Sequence, residues 1–208
     1  MGVIRTFDAI VVAGGRGSRL GGVDKPALRV GDFSLLDRAL GAVRAARRVS
    51  VVRQVDDVVV DTRITRTVEQ PPLSGPAAAI AAGLADLERT PGRDPAPPFV
   101  AVLAADLPRV GEAFASLRRH AMPRKVDGLI AVDPEGRDQP LLAIYRTAAL
   151  QAAVATHPTD GLGVGRLIAN LRLTRVPLEA VLCADVDDEA DARAAGIELS
   201  SLARWAHA

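Results

Sequence analysis

Short, uninterrupted apolar runs alternate along this chain with alanine- and leucine-rich stretches of helical spacing. Ile10, Val11 and Val12 form the first run and residues 49–52 the second. The three consecutive β-branched residues at 10–12 predict a strand buried on both faces, and residues 49–52, Val-Ser-Val-Val, a second strand. Residues 66–68 predict a third strand, whose exit is set by Pro71 and Pro72. Residues 99–104, Phe-Val-Ala-Val-Leu-Ala, predict a core strand that needs neighbours on both sides. Between the runs, Leu35, Leu36, Ala39, Leu40 and Val43 recur at helical spacing, with Arg38, Arg44 and Arg47 on other faces. Residues 76–87 read as a further helix. Residues 127–132 and 141–145 predict two strands around the turn Pro134-Glu135-Gly136, a hairpin at one edge of the sheet. The alternation predicts an α/β three-layer sandwich with a mostly parallel, Rossmann-like sheet that the hairpin makes mixed.

Length adds that one domain over residues 1–208, 49% hydrophobic and 25% charged, suffices for a substantial core. The proline-dense segment 90–98 reads as a surface connection within that domain. With 26 Lys and Arg against 25 Asp and Glu, the net charge of +1 gives no overall bias toward nucleic acid. Aromatic residues, at 3%, are too few for a base-stacking platform. The chain shows no signal-peptide layout and no run of about 18 or more apolar residues, so no membrane association is expected. Cys183 is the single cysteine; it reads as a small buried apolar residue, and a reducing cytoplasm is the expected compartment. His120, His157 and His207 have no carboxylate at relay spacing.

The strongest chemistry follows the first strand, where Ala13 leads into Gly14, Gly15 and Gly17, then Arg19 and Lys25. Glycines free the backbone for close ligand approach, and the N–H groups of such a turn form an anion-binding concavity. Arg19 adds a forked guanidinium for phosphate oxygens, and Lys25 a mobile point charge for a leaving pyrophosphate. Glycines at 15, 17 and 21 imitate a dinucleotide fingerprint. The strict pattern would need glycine where Leu20 stands, and residues 49–52 lead into Arg53 and Gln54 rather than an acid for a ribose. A Walker loop is excluded, since the chain contains no G-K-[ST]. A purely structural strand-to-helix turn accounts for the glycines and leaves Arg19 and Lys25 unused.

The run from Ala13 to Lys25 resembles A-G-G-x-G-x-R-[LM]-G-G-x-D-K, the signature of nucleotidyltransferases of the molybdenum cofactor guanylyltransferase type. Sugar-phosphate and other small nucleotidyltransferases are more distant relatives of that family. The resemblance continues, in the family's order, through residues 31–40, 74–84, 104–108, 136–146 and 184–191. It implies the nucleotide-diphospho-sugar transferase type of α/β fold and a Mg²⁺-dependent transfer of GMP from GTP to the phosphate of molybdopterin, in molybdenum cofactor biosynthesis. A molybdoenzyme or its chaperone is then the expected protein contact.

Asp106 ends the core strand, where its carboxylate suits Mg²⁺ or caps the helix after Leu107; by resemblance it matches the family's metal-binding aspartate. Asp185 and Asp187 share one face of an extended segment, and Asp187 is either a second metal ligand or a cap for a helix over 189–195. The family usually carries Thr-Pro where this chain has Asp188-Glu189. Gly75, in Ser74-Gly75-Pro76, opens a helix whose N-terminus can hold a base, a ribose or a phosphate, or simply makes a tight turn. Where the family has a guanine-reading aspartate, Glu69 and Gln70 stand; Glu69 can accept from guanine N1 and N2, and Gln70 discriminates less sharply. Arg137 and Gln139 resemble the family's acceptor-side loop, for contact with the pterin or its phosphate, and both are also ordinary hairpin-turn residues.

Together these residues form the expected site: Arg19, Lys25 and Asp106 in catalysis, Ala13 to Gly17 with Glu69, Gln70 and Gly75 around the nucleotide, Asp106 and Asp187 on the metal. The same loop serves a cytidylyl- or sugar-phosphate nucleotidyltransferase equally well. The departures at Gln70 and Asp188-Glu189 also fit a nucleotide-binding escort or regulatory protein without catalysis.

Overall fold

A computed structural model of the chain describes residues 4–14, 20, 22–54, 61–89 and 96–197. In chain order the elements are β1 (Asp8–Val12), a single 3-10 turn (Lys25–Ala27), β2 (Arg29–Val30), β3 (Phe33–Ser34), α1 (Leu35–Ala42), β4 (Val49–Val52) and β5 (Ile64–Thr67). There follow α2 (Pro76–Arg89), β6 (Phe99–Ala104), α3 (Val110–Arg118), β7 (Gly128–Val132), β8 (Asp138–Arg146), α4 (Thr147–Ala155), α5 (Val164–Leu167), β9 (Leu173–Pro177), α6 (Ala180–Cys183) and α7 (Glu189–Ala194). Seven strands make the main sheet in the order β5-β4-β1-β6-β8-β7-β9. Only β8 runs against the others, so the sheet is mixed and Rossmann-like.

Alternation along β1 divides the core. Ala9 and Val11 face one side, with Leu36 and Ala39 of α1 and Phe114 and Leu117 of α3. Ile10 and Val12 face the other, with Ile80 and Leu84 of α2, Leu150 of α4 and Leu167 of α5. Helix α1 starts on a capping box, in which Ser34 Oγ accepts from the Asp37 N–H at 3.0 Å and Asp37 Oδ2 accepts from the Ser34 N–H at 2.9 Å.

Helix α2 lies unusually close to the sheet. A Cβ at Gly83 would stand 2.6 Å from Ile10 Cγ2, so glycine is what permits the approach. The buried Asp86 side chain accepts from Ser50 Oγ of β4 at 2.7 Å and from Thr65 Oγ1 of β5, which sets how far α2 is advanced along the sheet.

Three sequence expectations change. The β7–β8 hairpin is not at the sheet edge, because β9 pairs in parallel with β7 and covers it. In β9 only Val176 is fully buried, so a half-exposed edge strand ending in Pro177 gave too little apolar pattern to be seen. The third strand runs over Ile64–Thr67 rather than 66–68, since Ile64 pairs with Val49. The last helix starts at Glu189, as expected, and stops at Ala194.

The β7–β8 pairing also breaks. Ile130 pairs with Ala143 and Ala131 with Gln139, so Pro140, Leu141 and Leu142 bulge out of register on that side. On the opposite side the β6–β8 ladder continues without interruption through Leu103 and Leu142. Pro140 has no N–H to lose there, and the buried Tyr145 hydroxyl donates to the Pro140 carbonyl at 2.9 Å. Among the described residues, no helix is long and apolar enough to cross a membrane.

Candidate active site

In open α/β sheets, ligands bind beyond the carboxyl ends of the strands. At that edge the Ala13 N–H donates to the Val52 carbonyl and the Ala105 N–H to the Val12 carbonyl, both at 2.9 Å, so the exits of β1, β4 and β6 are tied together. Beside these exits lies a cavity of about 380 Å³. Ala13, Gly14, Lys25 and Asp106 line it together with Glu69, Leu73 and Gly75. The expected contributors Gly15, Gly17 and Arg19 lie outside the described residues.

Lys25 opens the 3-10 turn, which is closed by the Ala27 N–H to the Asp24 carbonyl and the Leu28 N–H to the Lys25 carbonyl, each at 3.0 Å. Its ammonium donates to Asp187 Oδ1 at 2.5 Å. Asp24, one residue earlier, is held by an ion pair from Arg53, which the sequence had marked only as a place lacking a ribose-binding acid.

Asp106 does not cap a helix: α3 begins at Val110, with Arg109 at its N-cap. The Val186 N–H donates to the Asp106 carbonyl at 3.1 Å and brings the acidic segment 185–187 alongside. Burial pushes the Asp106 carboxyl up to about 6; Asp185 and Asp187 add repulsion, and Lys25 offsets part of it. The Asp185 carboxyl is likewise held above its ordinary range, first by burial and then by Asp187. The capping role weighed for Asp187 falls to Asp188, whose side chain accepts from the Ala190 and Asp191 N–H groups. Asp187 instead turns its carboxylate to Lys25.

Among the described residues, no group of three or more His, Cys, Asp or Glu is arranged to hold a metal ion. Asp106 and Asp187 nonetheless fit a partial site. Mg²⁺ commonly takes one or two carboxylates and completes its shell with water and substrate phosphates. The crowding that raises the Asp106 carboxyl is also what a divalent cation relieves.

The turn into α2 builds a further part of the cavity lining. Gly75 adopts φ +94°, where a side chain would be strained, and the chain then enters the helix with the Ala79 N–H donating to the Gly75 carbonyl at 3.0 Å. The positive end of the α2 dipole therefore faces the cavity. Glu69 is buried, and its Oε1 accepts from the Leu73 N–H at 3.1 Å. Gln70 is exposed and does not line the cavity, so the structure separates the two candidate base readers.

Arg137 stands on the β7–β8 turn and Gln139 at the start of β8, paired with Ala131, and neither is in the cavity lining. The Arg137 N–H donates to Asp133 Oδ1 at 2.8 Å, and Gln139 Nε2 to Asp133 Oδ2 at 3.2 Å. What β8 does bring to the cavity is Leu141, from within the bulge. Neither Leu141 nor Leu73 had any signal in the sequence beyond being apolar.

The profile of the MobA-like NTP transferase domain matches residues 9–176. A curated protein of Natronomonas pharaonis, named "Probable molybdenum cofactor guanylyltransferase", is 31% identical over 168 residues, which cover 70% of this chain and 71% of that protein. The inositol-1-phosphate CTP transferase from T. maritima superposes with a TM-score of 0.68 at 13% identity, covering 97% of this chain and 95% of its own. The molybdopterin-guanine dinucleotide biosynthesis protein A of Archaeoglobus fulgidus superposes with a TM-score of 0.62 at 17% identity, covering 91% and 97%. At such identities the two structures establish the fold.

Proposed function

Since the chain belongs to the MobA-like NTP transferase domain family, we propose that it moves a nucleotidyl group from a nucleoside triphosphate to a phosphate-bearing acceptor. An acceptor phosphate oxygen attacks the α-phosphorus, the bond from that phosphorus to the bridging oxygen breaks, and pyrophosphate leaves with the electron pair. The observation that carries this reading is the meeting of Lys25, Asp106 and Asp187 at the exits of β1 and β6, on a cavity that the N-terminus of α2 also lines.

Transfer of this kind needs positioning and charge neutralisation rather than a protein nucleophile. Lys25, held by Asp187, lies where it can meet the charge that gathers on the departing pyrophosphate. Gly14, with Gly15, Gly17 and Arg19 that follow it in sequence, would cradle the triphosphate. Asp106 and Asp187 would hold Mg²⁺, which supplies charge neutralisation across the phosphate oxygens when bound. Arg137 and Gln139 would meet the acceptor from the β7–β8 hairpin.

For the donor, we read the site as suited to a cytidine nucleotide; a sugar or polyol phosphate as acceptor is carried over from the inositol-1-phosphate CTP transferase whose fold it shares. Glu69 has one oxygen engaged by the Leu73 N–H, and Gln70 faces outward. The cytosine N4 amine needs a single acceptor, whereas the adjacent N1 and N2 donors of guanine are best met by two. GMP transfer from GTP to molybdopterin is the second reading, supported by the 31% identity to the Natronomonas protein.

The test is pyrophosphate release from each of the four nucleoside triphosphates with Mg²⁺, offered molybdopterin or a panel of sugar and polyol phosphates. Release with CTP and a sugar or polyol phosphate supports the first reading, and release with GTP and molybdopterin the second. Nucleotide binding without release under any pairing would point to the escort role.

A further inference from the structure

We propose that Leu73 is a nucleoside-contacting residue, held in an unfavourable backbone conformation by Glu69 so that its side chain forms the apolar wall against the base and ribose; the inference rests on the nucleotide reading of the cavity. Leu73 has φ 63° and is the one non-glycine residue with positive φ among the described residues. A side chain with a Cβ disfavours that region, and such outliers persist only where the surroundings enforce them.

The enforcement is visible on both sides. The Leu73 N–H donates to buried Glu69 Oε1 at 3.1 Å. Ser74 follows with its hydroxyl on the Pro71 carbonyl at 2.7 Å, and its own carbonyl accepts from the Gly161 N–H at 2.9 Å. The conformation thus has anchors from residues 69, 71 and 161.

Packing gives no reason for it. Leu73 is 44% exposed, among the most exposed large apolar side chains of the described residues, and it belongs to none of the core clusters. Yet it lines the cavity, with Glu69 and Gly75 and with Lys25 and Asp106. An apolar side chain that is strained, exposed and turned to a cavity has a ligand as its natural partner. Leu73 is apolar and is bonded through its N–H to Glu69, the candidate base reader, whereas the phosphates call for Lys25, the glycine turn and a cation at Asp106, so the part of a nucleotide that suits Leu73 is the nucleoside.

The test compares Leu73→Gly and Leu73→Asn with the wild type; both residues tolerate left-handed backbone. Calorimetric binding of CTP, GTP and inorganic triphosphate is measured with Mg²⁺, alongside the thermal midpoint. The expected result is about tenfold weaker binding of nucleotides in both variants, unchanged binding of inorganic triphosphate, and a Tm equal to or ~2–4 °C above the wild type. Equal nucleotide affinity in variants and wild type would overturn the inference while leaving the nucleotide reading intact. A lowered Tm with binding lost for all three ligands would overturn it too, by making Leu73 a structural residue. Absence of nucleotide binding by the wild type at millimolar concentration would defeat the nucleotide reading itself, and the inference with it.

Discussion

Arg53 and Asp24 form an ion pair whose cation is almost fully enclosed, with the arginine side chain 5% exposed and the carboxylate 40%. A buried guanidinium depends on its acidic partners. Through this pair the end of β4 grips the residue directly before Lys25, and Lys25 in turn grips Asp187. The catalytic candidates are thus held by a chain of charges that begins two strands into the sheet.

If Arg53 serves to hold the Lys25 turn, then Asp24→Asn and Arg53→Met each lower turnover by ~10-fold or more. The double variant should be no slower than the worse single one, since both remove the same restraint. Additive losses in a double-mutant cycle of kcat would show that the two residues act separately.

Lys25→Ala is expected to cost at least ~10²-fold in turnover if its charge is used in the transition state. Nucleotide affinity should fall much less. Steady-state kinetics with pyrophosphate detection decide this, and near-wild-type turnover would remove Lys25 from the mechanism.

Asp106 makes a prediction in two directions. Its carboxyl moves from the ordinary 3.8 to about 6 on folding, so the native state binds more protons than the unfolded chain between those values. Stability therefore falls as pH rises through that window and stays reduced above it. Asp106→Asn removes the penalty: it should abolish transfer yet gain up to ~3 kcal/mol of stability at pH 7, a gain that disappears near pH 4. Urea unfolding at both pH values measures it, and a variant less stable than wild type at pH 7 would contradict the assignment.

Gly83→Ala places a methyl group against Ile10 Cγ2 and should cost about 1–3 kcal/mol. Ile10→Ala clears the space and should rescue part of that loss, so the double variant is more stable than the sum of the singles. Chemical denaturation of the four proteins provides the check.

Local pattern made much of this molecule legible in advance. The β1 exit into glycine, Asp106 at the end of β6 and the turn at Gly75 are each read from neighbouring residues alone. What escaped depends on residues distant in the chain or on which way a side chain turns. Arg53 and Asp24 are 29 residues apart. Glu69 and Gln70 are adjacent and chemically similar, and only the folded turn decides which of them faces the cavity. Asp187 and Asp188 exchange duties for the same reason: the helix start falls one residue later than a cap at Asp187 requires. Leu73 carries no signal at all, because φ is not written in a leucine.

The interruption between β7 and β8 has a further consequence. On its β6 side, β8 keeps strict register with the core through Leu142 and Leu103, while on the β7 side Pro140 to Leu142 are taken up as slack. Pro140 and Leu141 lie beyond the last β6 pair at Leu142 and can be exchanged without re-pairing the strands beneath. A single scaffold can in this way have its cavity reshaped from β8 while the sheet keeps its pairing.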